Sequence, residues 1–273
     1  MRARAIALLA LAIPVLAGLL YLWRFSAPTP YLVTNAGAWA IGCLLILWSP
    51  APSLRLRRAM TSAFLAALFV PLATGPEILG IARWLPLGPV QLHVGMLLVP
   101  SLSVLAARDE VYAPSILAVA LLAASLQPDM ATGLALMLAG VGFYQAERDW
   151  KYGVFIIVAF FASMVMAIHG ELAAQPFVER VIHSLLFEAP FAALGLLASL
   201  LAGFFLILHA LPTAPAIPRA LAGTFFGFSL AAILSNYPSA LIGYGAAPII
   251  GFGLALGLSD TSREPKFGPA TSH

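Results

Sequence analysis

The chain has 273 residues, of which 62% are hydrophobic and 9% charged, with a formal net charge of +3 and a mean hydropathy of +0.97. Soluble domains carry roughly 25% charged residues, so this composition excludes a soluble globular protein and leaves a polytopic membrane protein. The small net charge, without a basic cluster, excludes nucleic acid as a partner, and the single Cys43, inside an apolar run, rules out a disulfide or a cysteine metal site.

Apolar runs at 5–23, 35–49, 60–79, 90–107, 112–126, 130–146, 152–169, 184–209, 219–236 and 239–258 predict an all-α transmembrane bundle of about ten helices. The first follows Met1-Arg2-Ala3-Arg4 as a signal peptide would. Its length spans a bilayer, however, and Trp23-Arg24 is no small-residue cleavage site, so it reads as a helix that stays. The fifth is short for a span. The stretch from Val181 to Ala210 would measure about 45 Å as one helix, more than the ~30 Å hydrocarbon core, so its first turns are expected above the membrane. Gly223-x-x-x-Gly227 and Gly253-x-x-x-Gly257 place small residues on one helix face for close packing. A single transmembrane domain, 1–258, is followed by a polar, Pro-containing cytoplasmic tail, 259–273, expected to be disordered.

Charge bias orients the bundle. With the N-terminus inside, only Arg24, Arg83 and Arg180 of the 14 basic residues fall on the outer side. This is the asymmetry that short cytoplasmic loops require, and it puts both termini in the cytoplasm. Asp109, Glu110, Glu147 and Asp149 then sit inside beside Arg108, Arg148 and Lys151, as solvated loop charges.

Two outer segments interrupt the apolar pattern with Pro and polar residues, which is costly in lipid unless the segment lies at an interface or lines a cavity. Arg83-Trp84 reads as an interfacial anchor, a belt aromatic with a snorkelling cation. Gln127-Pro128-Asp129 reads as a helix break, with Asp129 capping a helix that starts at Met130.

Taken together the motifs have a second reading. Arg83-Trp84-x-x-Leu87-Gly88, then Gln127-Pro128-Asp129-x-x-Thr132, then Ile242-Gly243-Tyr244-Gly245-Ala246-Ala247 resemble, in order and spacing, the motifs of the SEDS family, the RodA- and FtsW-like cell-wall glycosyltransferases. The resemblance runs from the third predicted helix to the tenth, and it implies ten helices with both ends cytoplasmic. It also implies an activity on undecaprenyl-diphosphate-linked precursor in the bacterial inner membrane, tied to peptidoglycan, cell shape or cell division, and a transpeptidase-like envelope protein as partner alongside membrane lipid. Arg83, Trp84, Gln127 and Asp129 become candidate substrate-binding residues.

The departures are specific. Gln91-Leu92-His93-Val94 stands where the family carries Gln-Pro-Ser-Glu, and no aspartate occurs between Asp149 and Asp260, the region of the family's proposed catalytic aspartate. Transfer of a sugar to a hydroxyl needs a general base and positive charge for a departing diphosphate. Glu179 and Glu188 are the candidate catalytic carboxylates, with Arg180 and His183 as candidate substrate contacts. Glu179 and His183 share one face if the segment is helical, and Pro190 loosens the helix beyond Glu188. His93, His169 and His209 have no metal-ligand spacing, and neither a metal nor a cofactor is expected. Three functions follow: a reduced glycosyltransferase, a catalytically silent lipid- or partner-binding scaffold, and a flippase of lipid-linked precursor. The last is disfavoured because the predicted helix cores contain no Asp, Lys or Arg.

Overall fold

The computed structural model describes residues 2–49, 52–88 and 90–259; the rest of the tail from Asp260 onward, expected to be disordered, lies outside the described residues. In chain order the helices are α1 (Arg2–Arg24), α2 (Thr29–Trp48), α3 (Leu54–Thr74), α4 (Val94–Ala106), α5 (Ala113–Leu126), α6 (Met130–Glu147), α7 (Trp150–His169), α8 (Val181–Glu188), α9 (Pro190–Phe205), α10 (Ala216–Leu234) and α11 (Ala246–Leu258). All but α8 take the places of the ten apolar runs. The protein is a multi-pass membrane bundle: α1, α2, α3, α7, α10 and α9 with the π-helical turn Leu206–Ala210 that extends it are each long and apolar enough to cross a bilayer.

Local chemistry sets many of the boundaries. Ser53 caps α3 by accepting from the Leu56 N–H at 3.3 Å, and Asp149 caps α7 through the Lys151 N–H at 2.9 Å. Pro residues open α2, α5 and α9 at the first turn, where a missing N–H costs nothing.

Three expectations need correction. The stretch from Val181 to Ala210 is not one helix. Ala189, at φ −151° and ψ 71°, breaks it ahead of Pro190, so the excess length becomes the separate short helix α8. The run at 239–258 is helical only from Ala246; the residues before it form an irregular segment. Among the described residues the bundle also carries one piece of sheet, β1 (Trp84–Leu87) against β2 (Val90–His93), an antiparallel hairpin in which Trp84 faces His93. Gly88, at φ 59°, supplies the left-handed residue that a tight hairpin turn needs.

The core is formed by α4, α6, α10 and α11, whose residues are mostly buried, while α2, α3 and α7 present broad apolar faces outward. Glycine permits the closest approaches. A Cβ at Gly227 would lie 2.5 Å from the Ala135 Cα, and one at Gly253 2.5 Å from the Gly42 Cα, so α10 meets α6 and α11 meets α2 nearly backbone to backbone. At 13 residues each, α4 and α11 are about 20 Å long, short of the ~30 Å core. The hairpin before α4 and the irregular segment before α11 occupy the remaining depth, and such backbone is tolerated there only when protein surrounds it.

Candidate functional site

At the end of the bundle that the charge bias places outside, three irregular segments meet: the hairpin, the residues between α7 and α8, and the residues between α10 and α11.

Arg83 precedes the hairpin and turns inward. Its guanidinium lies 4.7 Å from the Trp84 ring centre and 4.6 Å from that of Tyr237, and its Nη1 donates to the Gly170 carbonyl at 3.1 Å. At 2% exposure it is an interior cation, which overturns the snorkelling-anchor reading. The Tyr237 hydroxyl accepts from the Met130 N–H at 3.0 Å and so ties this cluster to the start of α6. Gly170 is obligatory here, because a Cβ would sit 1.8 Å from the Pro128 carbonyl oxygen.

Asp129 caps α6 as its position suggests, Oδ1 accepting from the Thr132 N–H at 3.2 Å. Its Oδ2 lies 3.4 Å from Nε2 of His93, whose Nδ1 accepts from the Met96 N–H at 3.2 Å and caps α4. An imidazole that accepts at Nδ1 carries its proton on Nε2, facing the carboxylate. The pair therefore caps two core helices at once. Gln127 donates from Nε2 to the Leu68 carbonyl of α3. Arg83, Gln127 and Asp129 are thus buried and engaged with protein groups, and Trp84 is half-buried against Arg83 and His93. None of the four lines the cavity described next.

That cavity, of about 410 Å³, lies between the outer end of α1 and the 174–188 segment, with Tyr21, Phe177, Glu179, Arg180, Ser184 and Glu188 in its lining. The structure therefore brings together both candidate carboxylates and Arg180. His183 is not part of the lining: it is exposed and turned edge-on to the Phe187 ring, 5.7 Å away. The shared helical face expected for Glu179 and His183 does not form, because Arg180 adopts φ 55° and α8 begins only at Val181.

Glu179 is held from behind. Its backbone pairs with Pro238 in an isolated antiparallel bridge. Around it the Ser239 N–H donates to the Val178 carbonyl at 2.8 Å, the Tyr244 N–H to the Phe177 carbonyl at 2.7 Å, and the Val181 N–H to the Ser239 hydroxyl at 3.3 Å. The gripping segment is itself fixed by Asn35 of α2, whose amide donates to the Gly243 carbonyl at 2.9 Å and accepts from the Gly245 N–H at 3.1 Å. Tyr31 stacks on Tyr244, ring centres 3.8 Å apart. Burial raises the Glu179 carboxyl to about 7, against the opposing pull of the Gln175 N–H, which donates to it, and of the Arg83 charge. Asn35, His93, Gly170 and Tyr237 were not singled out as site residues from the sequence. None of the four belongs to a local pattern that connects it to its partners, and only Gly243-Tyr244-Gly245, inside a recognised motif, pointed toward this region. Among the described residues no cluster of three or more His, Cys, Asp or Glu side chains is arranged to hold a metal ion.

No protein-family model matches the sequence, and no curated protein matches it. Solved structures do. The crystal structure of the rod shape determining protein RodA of Thermus thermophilus is 21% identical, with a TM-score of 0.65 over 93% of this chain and 94% of that one. The fold is that of the SEDS proteins. An aspartate-to-alanine variant of the same RodA matches with 20% identity and a TM-score of 0.62 over 93% of this chain and 94% of its own. A chain from a peptidoglycan synthase complex, whose description concerns the coordination of polymerization and crosslinking, matches with 19% identity and a TM-score of 0.61 over 93% and 96%. Coverage near the full length on both sides means that the SEDS fold is present here as a whole.

Proposed function

We propose that this protein acts in bacterial cell-wall synthesis as a glycosyltransferase of the cytoplasmic membrane, using an undecaprenyl-diphosphate-linked sugar precursor at the Glu179 cavity. The observation that carries the reading is the placement of a half-buried, raised carboxyl in an outward cavity, with Arg180 and Glu188 beside it, on a SEDS fold. A base whose ordinary range is shifted toward 7 is matched to proton abstraction at working pH. The acceptor hydroxyl would attack the anomeric carbon and pass its proton to Glu179. As the new carbon–oxygen bond forms, the bond to the diphosphate breaks, and the departing anion meets the Arg180 guanidinium. Arg83, Gln127 and Asp129 would hold the frame of the site without touching substrate. The complex among the structural neighbours supports a transpeptidase-like partner for this chain as well.

The absence of any aspartate between Asp149 and Asp260 favours a second reading, a silent scaffold that binds lipid or an envelope partner. The two separate in one assay, with purified protein given fluorescent lipid-linked disaccharide-peptide, with and without a transpeptidase-like partner. Polymer from wild type that falls at least 100-fold in Glu179→Gln, the order of one general base, supports the enzyme, and Glu188→Gln tests the second carboxylate. Precursor binding without polymer, unchanged in both variants, leaves the scaffold.

A further inference from the structure

Part of the lining of the Glu179 cavity is aromatic. It comes from Tyr21 near the end of α1, Phe25 just past that end, and Phe177 in the segment before α8. The Tyr21 ring centre lies 5.3 Å from that of Phe25 and 6.0 Å from that of Phe177, each pair tilted by 46°, so the three rings adjoin as one surface. Tyr21 is buried, and Phe25 and Phe177 flank it half-buried. These are not belt aromatics. That position belongs to Trp23, Phe187 and Phe191, which are 68%, 82% and 88% exposed. Backbone strain fixes the third ring of the surface. Phe177 has φ 66°, a left-handed conformation that a bulky residue rarely adopts, and the Tyr244 N–H holds its carbonyl at 2.7 Å. Such strain persists where the surroundings over-determine it, and it collects at ligand sites.

The rest of the lining is largely polar. Glu179 and Arg180 precede α8, and Ser184 and Glu188, four apart, share one face of it. The Glu188 charge reaches the Tyr21 hydroxyl, so carboxylate and rings adjoin. A flat apolar surface bordered by carboxylates and a hydroxyl complements a pyranose, which presents a C–H face and a rim of hydroxyls. A lipid chain would use the rings and leave the carboxylates without partners, and a small ion would leave the rings without a role. We propose that Tyr21, Phe25 and Phe177 form a platform for the acceptor's hexopyranose ring, stacking on its C–H face while the Glu188 carboxylate accepts from one of its hydroxyls. That this sugar is the acceptor rests on the glycosyl-transfer reading. Glu188 then holds the sugar, Glu179 remains the base, and the two half-buried rings determine which sugar fits.

The test is saturation-transfer NMR on the purified full chain in a sugar-free detergent, with N,N′-diacetylchitobiose as probe. The protein's aromatic protons are saturated, and the signal passed to the sugar's ring C–H protons is read. Wild type is expected to pass saturation to the sugar with a saturable dependence on its concentration. Sorbitol, an acyclic polyol with hydroxyls but no flat face, should receive none. Phe25→Leu, which keeps apolar bulk and removes the ring, should weaken binding about fivefold, the order of one aromatic contact, and Phe25→Tyr should bind as wild type does. Glu188→Gln, at an exposed position, should also weaken it about fivefold, the order of one hydrogen bond to a carboxylate in contact with water. No saturable transfer in wild type, equal transfer to sorbitol, or wild-type affinity in Phe25→Leu or Glu188→Gln would each overturn the platform. The two readings fail separately. Sugar that binds as expected while no polymer forms under any condition sinks glycosyl transfer alone, and polymer made by Phe25→Leu with an unchanged acceptor KM sinks the platform alone.

Discussion

At Arg83 the guanidinium is flanked by two rings and donates to the Gly170 carbonyl, and Glu179 lies within reach of its charge. A planar guanidinium lies flat against aromatic faces while its N–H groups donate, whereas a lysine ammonium meets them only as a point charge, so the site uses a property that charge alone does not supply. Arg83→Lys keeps the charge but loses the flat stack, and is expected to lower stability by about 1 kcal/mol, part of a desolvated cation–π contact, read as a fall in Tm. An unchanged Tm would mean that the stack contributes nothing. The sequence suggested a snorkelling residue here because Arg-Trp at a helix end is the common interfacial pattern. What distinguishes this case is Tyr237, more than 150 positions later, which no local pattern connects to Arg83. Asp129 was legible for the opposite reason: a cap is a contact within four residues, and its position before Met130 defined it. The partner His93 was not legible, since the pairing exists only once α4 and α6 are packed.

The segment before α11 works as a clamp on the Glu179 segment, and Asn35 fastens the clamp. Both functional ends of one amide are used, one on the Gly243 carbonyl and one on the Gly245 N–H, at a residue that is fully buried. Asn35→Leu leaves the buried Gly243 carbonyl and the part-buried Gly245 N–H without this partner, at a cost of about 2–3 kcal/mol, and lets the Phe177–Val181 segment shift. Its expected signature is a lower Tm together with weakened glycosyl transfer, whereas loss of stability with full turnover would show that the clamp does not set the site. The hairpin escaped the sequence reading because four residues per strand, with Pro86 among them, give too short an alternation to stand out from an apolar run; Gly88 was its one local signal. The break between α8 and α9 was half legible: the length argument required part of the stretch to leave the membrane, and Pro190 marked where, but the turn at Arg180 depends on backbone contacts with Pro238 and Ser239.

For the molecule as a whole, composition and length brought the helix count close, about ten against the eleven described, and the glycine pairs foretold two near backbone-to-backbone helix contacts, because the bilayer leaves a chain few other ways to satisfy its backbone. Long-range assembly decided the rest. Four central helices are enclosed by lipid-facing ones, and irregular backbone fills the unspanned depth of the two short ones, α4 and α11, on the side of the bundle where the cavity opens. The account depends on that cavity being a site of glycosyl transfer with Glu179 as its base. A pH–rate profile of polymer formation from lipid-linked disaccharide-peptide, in wild type and Glu179→Gln, addresses this most directly. A base must be unprotonated to act, and burial holds this carboxyl at about 7. The wild-type rate should therefore fall as pH drops through 7, by about tenfold per unit well below it, and level off above, with that limb missing from a much slower Glu179→Gln. A wild-type rate flat between pH 5 and pH 8, or a Glu179→Gln variant as fast as wild type, would contradict the account.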